Sequence, residues 1–296
     1  CVPGNIMEKY FNIIKEYYTE NQIICSIVSS NGFFWMAKKI LGSKAKLIGF
    51  QRVPYICRLN EYGHSATITG YKTLLKIAEH NVSNVEYWRA FFENNFNTKV
   101  NILNHYLEAA ITNSNPLLHP SRLYGLFKRW NDKIIYDREF YFYEDWDYSS
   151  SEILILVDNE FQEIIRKLPI NQNEIPSLLE YYESNDAISL TKKIKSIIGF
   201  KNIKAPMIKH NNGYIPDLKS RYFIEDIPYG LLIIKSIGLM LKHNTPVIDE
   251  IINWAQKVMK KEYLKKDLLI GNDIKETGIP YNYGINTIEN LINLYV

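Results

Sequence analysis

The 296-residue chain is poor in cysteine, with Cys1, Cys25 and Cys57 as its only three and all of them in its first fifth. Their odd number and unpaired spacing argue against a disulfide-stabilised fold and favour a reducing compartment, which we expect to be the cytoplasm. The sequence has no CxxC or HExxH motif and no cluster of cysteine and histidine. We therefore predict that the protein binds no metal.

Long apolar runs and an excess of one sign of charge are also missing. The longest candidate, residues 231–241, contains Lys235 and falls short of the roughly 18 residues that a membrane-spanning helix needs. The 35 basic and 32 acidic side chains leave a net charge of only +3. This balance argues against nucleic acid and against an anionic membrane as partners.

The most informative absence is that of a glycine-rich phosphate loop. Neither GxGxxG nor GxxxxGK[ST] occurs anywhere in the chain. In a dinucleotide-binding fold, such a turn places the pyrophosphate at the N-terminus of a helix. The α/β part of this sequence therefore lacks the residues that would bind the phosphates.

Strand-like and helix-like segments alternate in the first part of the chain. Residues 22–29 form a continuous apolar run of strand length, typical of a strand buried on both faces of a parallel sheet. Further strands are predicted at 46–50, 65–69 and 100–103, and helices at 5–20, 33–41, 71–80 and 84–96. The alternation predicts an α/β domain with a largely parallel, partly Rossmann-like sheet over residues 1–112.

From about residue 104 the apolar spacing is helical. Helices are predicted at 105–112, 121–130, 149–167, 176–182, 188–198, 228–241, 246–260 and 285–294. No segment here has convincing strand character, and the aromatic stretch 136–143 is expected to be a connecting loop or a short extended piece. The sequence thus predicts an all-helical domain over residues 113–296.

One stretch of this second domain, residues 219–230, places a cation and two carboxylates just before an apolar helix. Each charge has a plain structural explanation. Asp226 can cap a helix that begins with Pro228, and Arg221 and Glu225 can form an exposed ion pair worth a few tenths of a kcal/mol. These explanations do not account for three charges beside the most apolar helix of the domain, so we predict a site here.

A second stretch, residues 113–120, carries His119 directly before Pro120. On local grounds, His119 can be explained as a residue ordered at the start of a helix. Histidine is also the side chain best suited to exchange a proton near neutral pH, since its ordinary pKa is roughly 6.5. We predict that His119 and Asp226 meet in space, with Arg221 beside them.

Three stretches together resemble the opine dehydrogenases, the octopine/nopaline dehydrogenase family. They are residues 221–231 with Thr245-Pro246 following, residues 115–120, and residues 49–58 with Tyr62-Gly63 following. The resemblance covers nearly the whole chain in the family's order. It implies a Rossmann domain followed by a helical domain. It also implies that NAD(P)H reduces the condensation product of an amino acid and a 2-oxo acid, usually pyruvate.

The resemblance also implies roles for single residues. His119 matches the family's catalytic histidine, Asp226 its carboxylate partner, and Arg221 the arginine that holds a substrate carboxylate. A carbonyl attacked by an amine must take up a proton and later lose water, which suits a histidine kept protonated by a carboxylate. Asn31 and Cys57 fall near the family's substrate-pocket positions, although a turn residue with positive φ and a small buried thiol explain them locally.

The chain departs from the family at its N-terminus, where members carry GxGxxG. We expect it to begin within the fourth strand of the Rossmann domain, at Cys1-Val2-Pro3-Gly4, with further residues before it. Val2, Pro3 and Gly4 are then expected to border NAD or NADP. The residues that bind the phosphates and choose between these two cofactors are not in the sequence.

Two alternatives stay open. A chain without the dinucleotide loop could bind an amino acid or a 2-oxo acid without reducing it. A 2-oxo acid or glycerol-phosphate reductase shares the layout, but a phosphate substrate would require more clustered basic side chains than Arg221 alone. The sequence does not fix the amino acid, for which Trp130 and Tyr222 are candidate pocket residues, nor the oligomeric state, for which a homodimer is one option.

Overall fold

The computed structural model describes residues 3–112 and 114–295, in which strands and helices alternate at first and helices then dominate. The α/β unit comprises residues 6–112 and 292–295, and the helical unit comprises residues 114–291 and 3–5. The predicted limits were 1–112 and 113–296. Residues 3–5 therefore belong to the helical unit and not to the α/β unit as predicted, and residues 292–295 belong to the α/β unit and not to the helical one.

Specific contacts explain why each end of the chain belongs to that unit. The N–H of Gly4 donates a hydrogen bond to the Glu225 side chain, which belongs to the helical unit. The ring of Tyr295 packs against Phe34 and Tyr106 and lies 3.7 Å from the ring of His80, all in the α/β unit. Such long-range contacts leave no local pattern in the sequence.

The α/β unit contains a hairpin of β3 (Tyr55–Glu61) and β4 (Ser65–Tyr71) and a separate four-stranded sheet, in which the first, second, fifth and sixth strands of the chain lie side by side in that order. The strands of this sheet are β1 (Ile23–Ile27), β2 (Lys46–Phe50), β5 (Leu74–His80) and β6 (Lys99–Ile102). The helices of the unit are α1 (Gly4–Lys15, of which Gly4 and Asn5 belong to the helical unit), α2 (Phe33–Leu41), α3 (Val85–Phe96) and α4 (Leu107–Ala110). β1 pairs with β2 and β5 pairs with β6 in parallel, whereas β2 and β5 are antiparallel. The expectation of an α/β unit with a mostly parallel sheet is confirmed.

Two predictions for this unit are wrong. Residues 71–80, predicted to be helical, contribute β5, because pairing with β2 and β6 on both sides overrides the local spacing. The strand at 22–29 was expected to be buried on both faces, but β1 is at an edge of the described sheet and Ile27 is largely exposed. A continuous apolar run does not by itself distinguish an edge strand from a central one.

The helical unit contains the eight other described α-helices. They are α5 (Asn115–Phe127), α6 (Tyr148–Arg166), α7 (Leu178–Tyr181), α8 (Ala187–Ser196), α9 (Arg221–Ile224), α10 (Leu232–Met240), α11 (Pro246–Met259) and α12 (Ile288–Ile292). The expected predominance of helices is confirmed. The expected absence of strands is wrong, since β7 (Met207–His210) and β8 (Gly213–Pro216) form a hairpin.

The stretch 136–143 is a connecting loop, and its first residue lies against this hairpin. Tyr136 forms a bridge with Tyr214, and a Cβ at Gly213 would lie only 2.2 Å from the carbonyl oxygen of Tyr136. Glycine is therefore required at position 213 for this close approach. The hairpin fixes the start of a segment that leads to Phe142 and Tyr143.

Buried charges join the helices of this unit. Lys235 of α10 is only 2% exposed, and its Nζ lies 2.6 Å from an oxygen of Asp249 in α11. The Glu160 carboxylate of α6 accepts hydrogen bonds from the N–H groups of Val247 and Ile248, at the start of α11. Burial raises the pKa of both carboxyl groups. The buried charges of Lys235, Asp249 and Glu160 are therefore explained by the packing of α6, α10 and α11.

Candidate active site

His119 lies inside α5, four residues after the helix begins at Asn115. The alternative that placed it at a helix start is therefore wrong. It is 8% exposed, and its neighbours Pro120 and Leu118 are buried as well. The helix thus holds the imidazole in a largely apolar setting.

Asp226 lies between α9 and a turn of π-helix, Ile227–Leu231. The N–H of Leu231 donates to the carbonyl oxygen of Asp226, five residues earlier, at 2.9 Å. Wide turns of this kind occur frequently at functional sites. The alternative that Asp226 caps the helix at Pro228 is wrong, because its side chain makes no capping hydrogen bond.

Gly230 brings the π-helical turn close to α5. A Cβ at this position would lie 3.1 Å from the Cβ of Pro116 and 3.2 Å from its Cα, so any larger residue would push the two elements apart. His119 follows Pro116 by about one helical turn and therefore faces the same neighbouring element. This close packing gives a structural reason for the meeting of His119 and Asp226.

The imidazole of His119 and the carboxylate of Asp226 form a buried pair. His119 Nδ1 lies 2.8 Å from Asp226 Oδ2. Burial raises the pKa of Asp226 above its ordinary value, and the attraction to His119 opposes this shift without cancelling it. The carboxylate thereby holds one nitrogen of the ring in a fixed direction.

The second ring nitrogen also has a partner, Tyr143, which was not predicted from the sequence. Its hydroxyl lies 3.0 Å from His119 Nε2. The rings of Tyr222 and Phe142 meet the imidazole nearly at right angles, and Phe200 stacks on Tyr143 at 4.1 Å. The aromatic character of 136–143 was the only sequence signal for this contact.

Arg122 fixes the segment that carries Phe142 and Tyr143. It lies one turn after His119 on α5, and its side chain is fully buried. Its guanidinium donates to the carbonyl oxygens of Phe142 and Asp145 and to the hydroxyl of Ser150, at 2.6–2.9 Å. Burial lowers the pKa of Arg122 to about 10. The same helix therefore positions the imidazole and its Tyr143 partner.

Arg221 pairs with Glu225, as the spacing allowed, but the pair is not an ordinary surface contact. Arg221 Nε lies 2.7 Å from Glu225 Oε2, and this bond raises the pKa of the arginine. The arginine side chain is 75% exposed, whereas that of Glu225 is buried. The guanidinium is thus held at one nitrogen and remains accessible to a small anion.

Val2, Pro3 and Gly4 are the residues expected to border the cofactor. Val2 lies outside the described residues, and Pro3 immediately precedes α1. The N–H of Gly4 is bonded to Glu225 Oε1 at 2.9 Å, so this N–H does not fit a role as donor to a cofactor phosphate. That Val2, Pro3 and Gly4 border the cofactor stays a prediction.

The two other predicted substrate-binding residues belong to the α/β unit, whereas His119, Asp226 and Arg221 belong to the helical unit. Asn31 has φ +65°, so it is a turn residue with positive φ. Cys57 is exposed on a hairpin formed by β3 (Tyr55–Glu61) and β4 (Ser65–Tyr71), so the alternative of a buried thiol is wrong.

The two aromatic candidates for the substrate pocket differ. Tyr222 packs on His119, with ring centroids 4.5 Å apart. The indole N–H of Trp130 donates to the carbonyl oxygen of Ile134 at 3.0 Å, a local structural bond. Tyr222 alone of the two is therefore in contact with the buried pair's histidine.

Comparison with known proteins decides the family. The family model for the α-helical domain of NAD/NADP octopine/nopaline dehydrogenase matches residues 102–259, more than half of the chain. The chain belongs to this family. It is thus an NAD(P)-dependent dehydrogenase, and the resemblance seen in the sequence is confirmed.

Similar curated proteins cover almost the whole chain. Tauropine dehydrogenase of Arabella iricolor is 29% identical, over 98% of this chain and 78% of its own length. Octopine dehydrogenase of Pecten maximus is 27% identical, over 98% of this chain and 77% of its own. The similarity therefore includes the α/β unit as well as the helical one.

Solved structures agree with this relationship. Octopine dehydrogenase in complex with NADH and agmatine matches with a TM-score of 0.82 and 26% identity, over 99% of this chain and 76% of the other. Its complex with NADH and pyruvate gives a TM-score of 0.81. In the described residues no helix is both long and apolar enough to cross a membrane.

Proposed function

We propose that this opine dehydrogenase family member joins the amino group of an amino acid to a 2-oxo acid, such as pyruvate, and reduces the imine that forms. The observation that carries the proposal is the buried His119–Asp226 pair, 2.8 Å apart, with Arg221 five residues before Asp226. The similar octopine dehydrogenase structures with NADH and L-arginine and with NADH and pyruvate support it. NAD(P)H supplies the hydride in this family.

His119 is the proposed general acid and base. When an amine attacks the 2-oxo carbon, the carbonyl oxygen takes up a proton, and a second proton lets it leave as water. Asp226 accepts the hydrogen bond from Nδ1–H, so the proton that His119 exchanges is the one at Nε2. That nitrogen faces the Tyr143 hydroxyl, 3.0 Å away, which marks the direction of proton exchange.

Arg221 is the proposed anchor for the carboxylate of the 2-oxo acid. A guanidinium can grip a carboxylate with two parallel hydrogen bonds, which fixes the orientation of the adjoining carbonyl carbon. The exposure of Arg221 leaves room for such a ligand. Holding the carbonyl in one orientation favours attack on one face and lowers the barrier of both steps.

The test is oxidation of NADH or NADPH by the full-length protein with pyruvate and a panel of amino acids. His119→Gln should lower kcat by about 100-fold or more, because general acid–base catalysis typically contributes that much. His210→Gln is the control, since His210 is exposed on β7. The proposal is contradicted if no amino acid supports oxidation, or if His119→Gln retains most of the activity.

A further inference from the structure

The Glu225 carboxylate joins two distant parts of the helical unit. Its Oε2 accepts a hydrogen bond from Arg221 Nε–H at 2.7 Å, and its Oε1 accepts one from the N–H of Gly4 at 2.9 Å. Glu225 is 4% exposed, and Gly4 is 221 residues away in sequence. One buried carboxylate therefore links the proposed substrate anchor to the first residue of α1.

This arrangement differs from that of a surface ion pair. Exposed pairs of arginine and glutamate contribute little to stability, and burying a carboxylate is unfavourable unless it is well hydrogen-bonded. Here the carboxylate is buried and the arginine is 75% exposed. A buried residue thus holds one nitrogen of a guanidinium that belongs to a largely exposed side chain.

The bond to Nε limits how Arg221 can bind an anion. A guanidinium can hold a carboxylate from the side, through Nε and one terminal nitrogen, or from the end, through both terminal nitrogens. Glu225 occupies Nε, and no other described residue is bonded to the terminal nitrogens of Arg221. The end-on mode is the one that remains.

We propose that Glu225 is a positioning residue that fixes Arg221 so that its two terminal nitrogens bind the carboxylate of a 2-oxo acid end-on. The proposal rests on the proposed role of Arg221 as the carboxylate anchor. Without Glu225, the guanidinium must be ordered at the moment of binding, and ordering a long side chain weakens affinity. Glu225 itself contacts no reacting atom.

Kinetics separate this role from a catalytic one. Glu225→Ala should raise KM for pyruvate about tenfold and change kcat by less than about threefold, because binding is weakened without loss of the proton-exchanging group. Glu225→Gln keeps one carbonyl oxygen and so can accept only one of the two hydrogen bonds well. It should raise KM less than Glu225→Ala does.

The chain offers a matched control. Glu93 in α3 also accepts from an arginine four residues earlier, Arg89 at 2.6 Å, and from a backbone N–H, that of Val100 at 2.9 Å. It belongs to the α/β unit. Glu93→Ala removes the same two kinds of bond and should leave KM for pyruvate unchanged.

A measurement that needs no turnover completes the test. The Nε–H signal of Arg221 is identified in the ¹⁵N spectrum of the full-length protein by its loss in Arg221→Lys, and pyruvate is then titrated. The Nε–H should exchange slowly with water in the wild type and quickly in Glu225→Ala. Pyruvate should shift the wild-type signal at concentrations about tenfold lower than those needed in Glu225→Ala, with Glu225→Gln between the two.

Each outcome either supports or overturns the proposed role of Glu225. Unchanged KM in a folded Glu225 variant, or an Arg221 Nε–H that stays protected in Glu225→Ala, overturns the proposal. So does a wild-type signal that pyruvate does not move. If pyruvate moves the signal in the expected order but no amino acid gives turnover, the role of Glu225 is upheld and the proposed reaction fails. If Glu225→Ala does not fold, Glu225→Gln supplies the same comparison.

Discussion

At the residue scale, the proposed site places a carboxylate where its charge is poorly solvated. Asp226 is buried, and its pKa is raised chiefly by that burial. A carboxyl group with a raised folded-state pKa favours the folded protein most while it is protonated. This contribution is lost as the pH rises from the unfolded pKa, roughly 3.9, through the folded pKa. The ionised side chain that His119 requires is therefore unfavourable for stability.

Asp226→Asn should separate stability from activity. Asparagine keeps an oxygen that can accept from His119 Nδ1–H but carries no buried charge. We expect the free energy of unfolding at neutral pH to be no lower than that of the wild type, and kcat to fall by about 100-fold or more. Urea unfolding at several pH values should show that the free energy of unfolding of the variant, relative to that of the wild type, increases as the pH rises above about 4. A variant several kcal/mol less stable at neutral pH would contradict this account.

The charged residues of the site and their pairing with one another could be predicted from sequence, but the contacts made by Tyr143 and Gly4 could not. The block from Arg221 to Asp226 and the isolated His119 stand out as polar groups in apolar surroundings. Tyr143 does not, because its contact with His119 depends on how the segment 136–143 lies against a hairpin that was not predicted from the sequence. The bond of Glu225 to Gly4 likewise joins residues far apart in sequence.

At the element scale, α5 organises the site from two positions. His119 is on its buried side, and Arg122, one turn later, holds the backbone that carries Phe142 and Tyr143. A buried arginine is favourable only when its donors are paired, and here three acceptors from another segment satisfy them. The helix and the loop therefore depend on one side chain.

Arg122→Met should destabilise the protein by about 3 kcal/mol or more, because it leaves buried acceptors without donors. Thermal unfolding and urea unfolding both measure this loss. Arg138→Met is the control, since Arg138 pairs with Asp145 of the same segment but is largely exposed and should contribute no more than about 1 kcal/mol. Equal effects of the two substitutions would show that Arg122 does not hold the segment.

Elements with strong helical spacing were predictable, and those held by distant pairing were not. α6 and α11 follow their apolar spacing closely. Residues 71–80 have spacing compatible with a helix, yet β5 forms there because neighbouring strands on both sides supply its hydrogen bonds. The hairpin of β7 and β8 is short and depends on the segment at Tyr136. Tertiary contacts decide such cases.

At the scale of the whole molecule, the order of elements fixed the fold class, and the family match agrees with it. The assignment of the ends was not predictable. Tyr295 belongs to the α/β unit because its ring packs on Phe34 and Tyr106. In the sequence, however, it directly follows the helix predicted at 285–294, which suggests that it belongs to the helical unit. The family could be inferred from the sequence because three stretches of it resemble the family's in the same order.

The most direct test of the proposed reaction is the mass of its product. The full-length protein would be incubated with pyruvate, NADH or NADPH and a ¹⁵N-labelled amino acid, and the products analysed by mass spectrometry. We expect a labelled secondary amine whose mass equals that of the two substrates less one oxygen atom, because water is lost while a hydride and a proton are gained. Lactate as the sole reduced product, or no consumption of the cofactor, would contradict the proposed reaction.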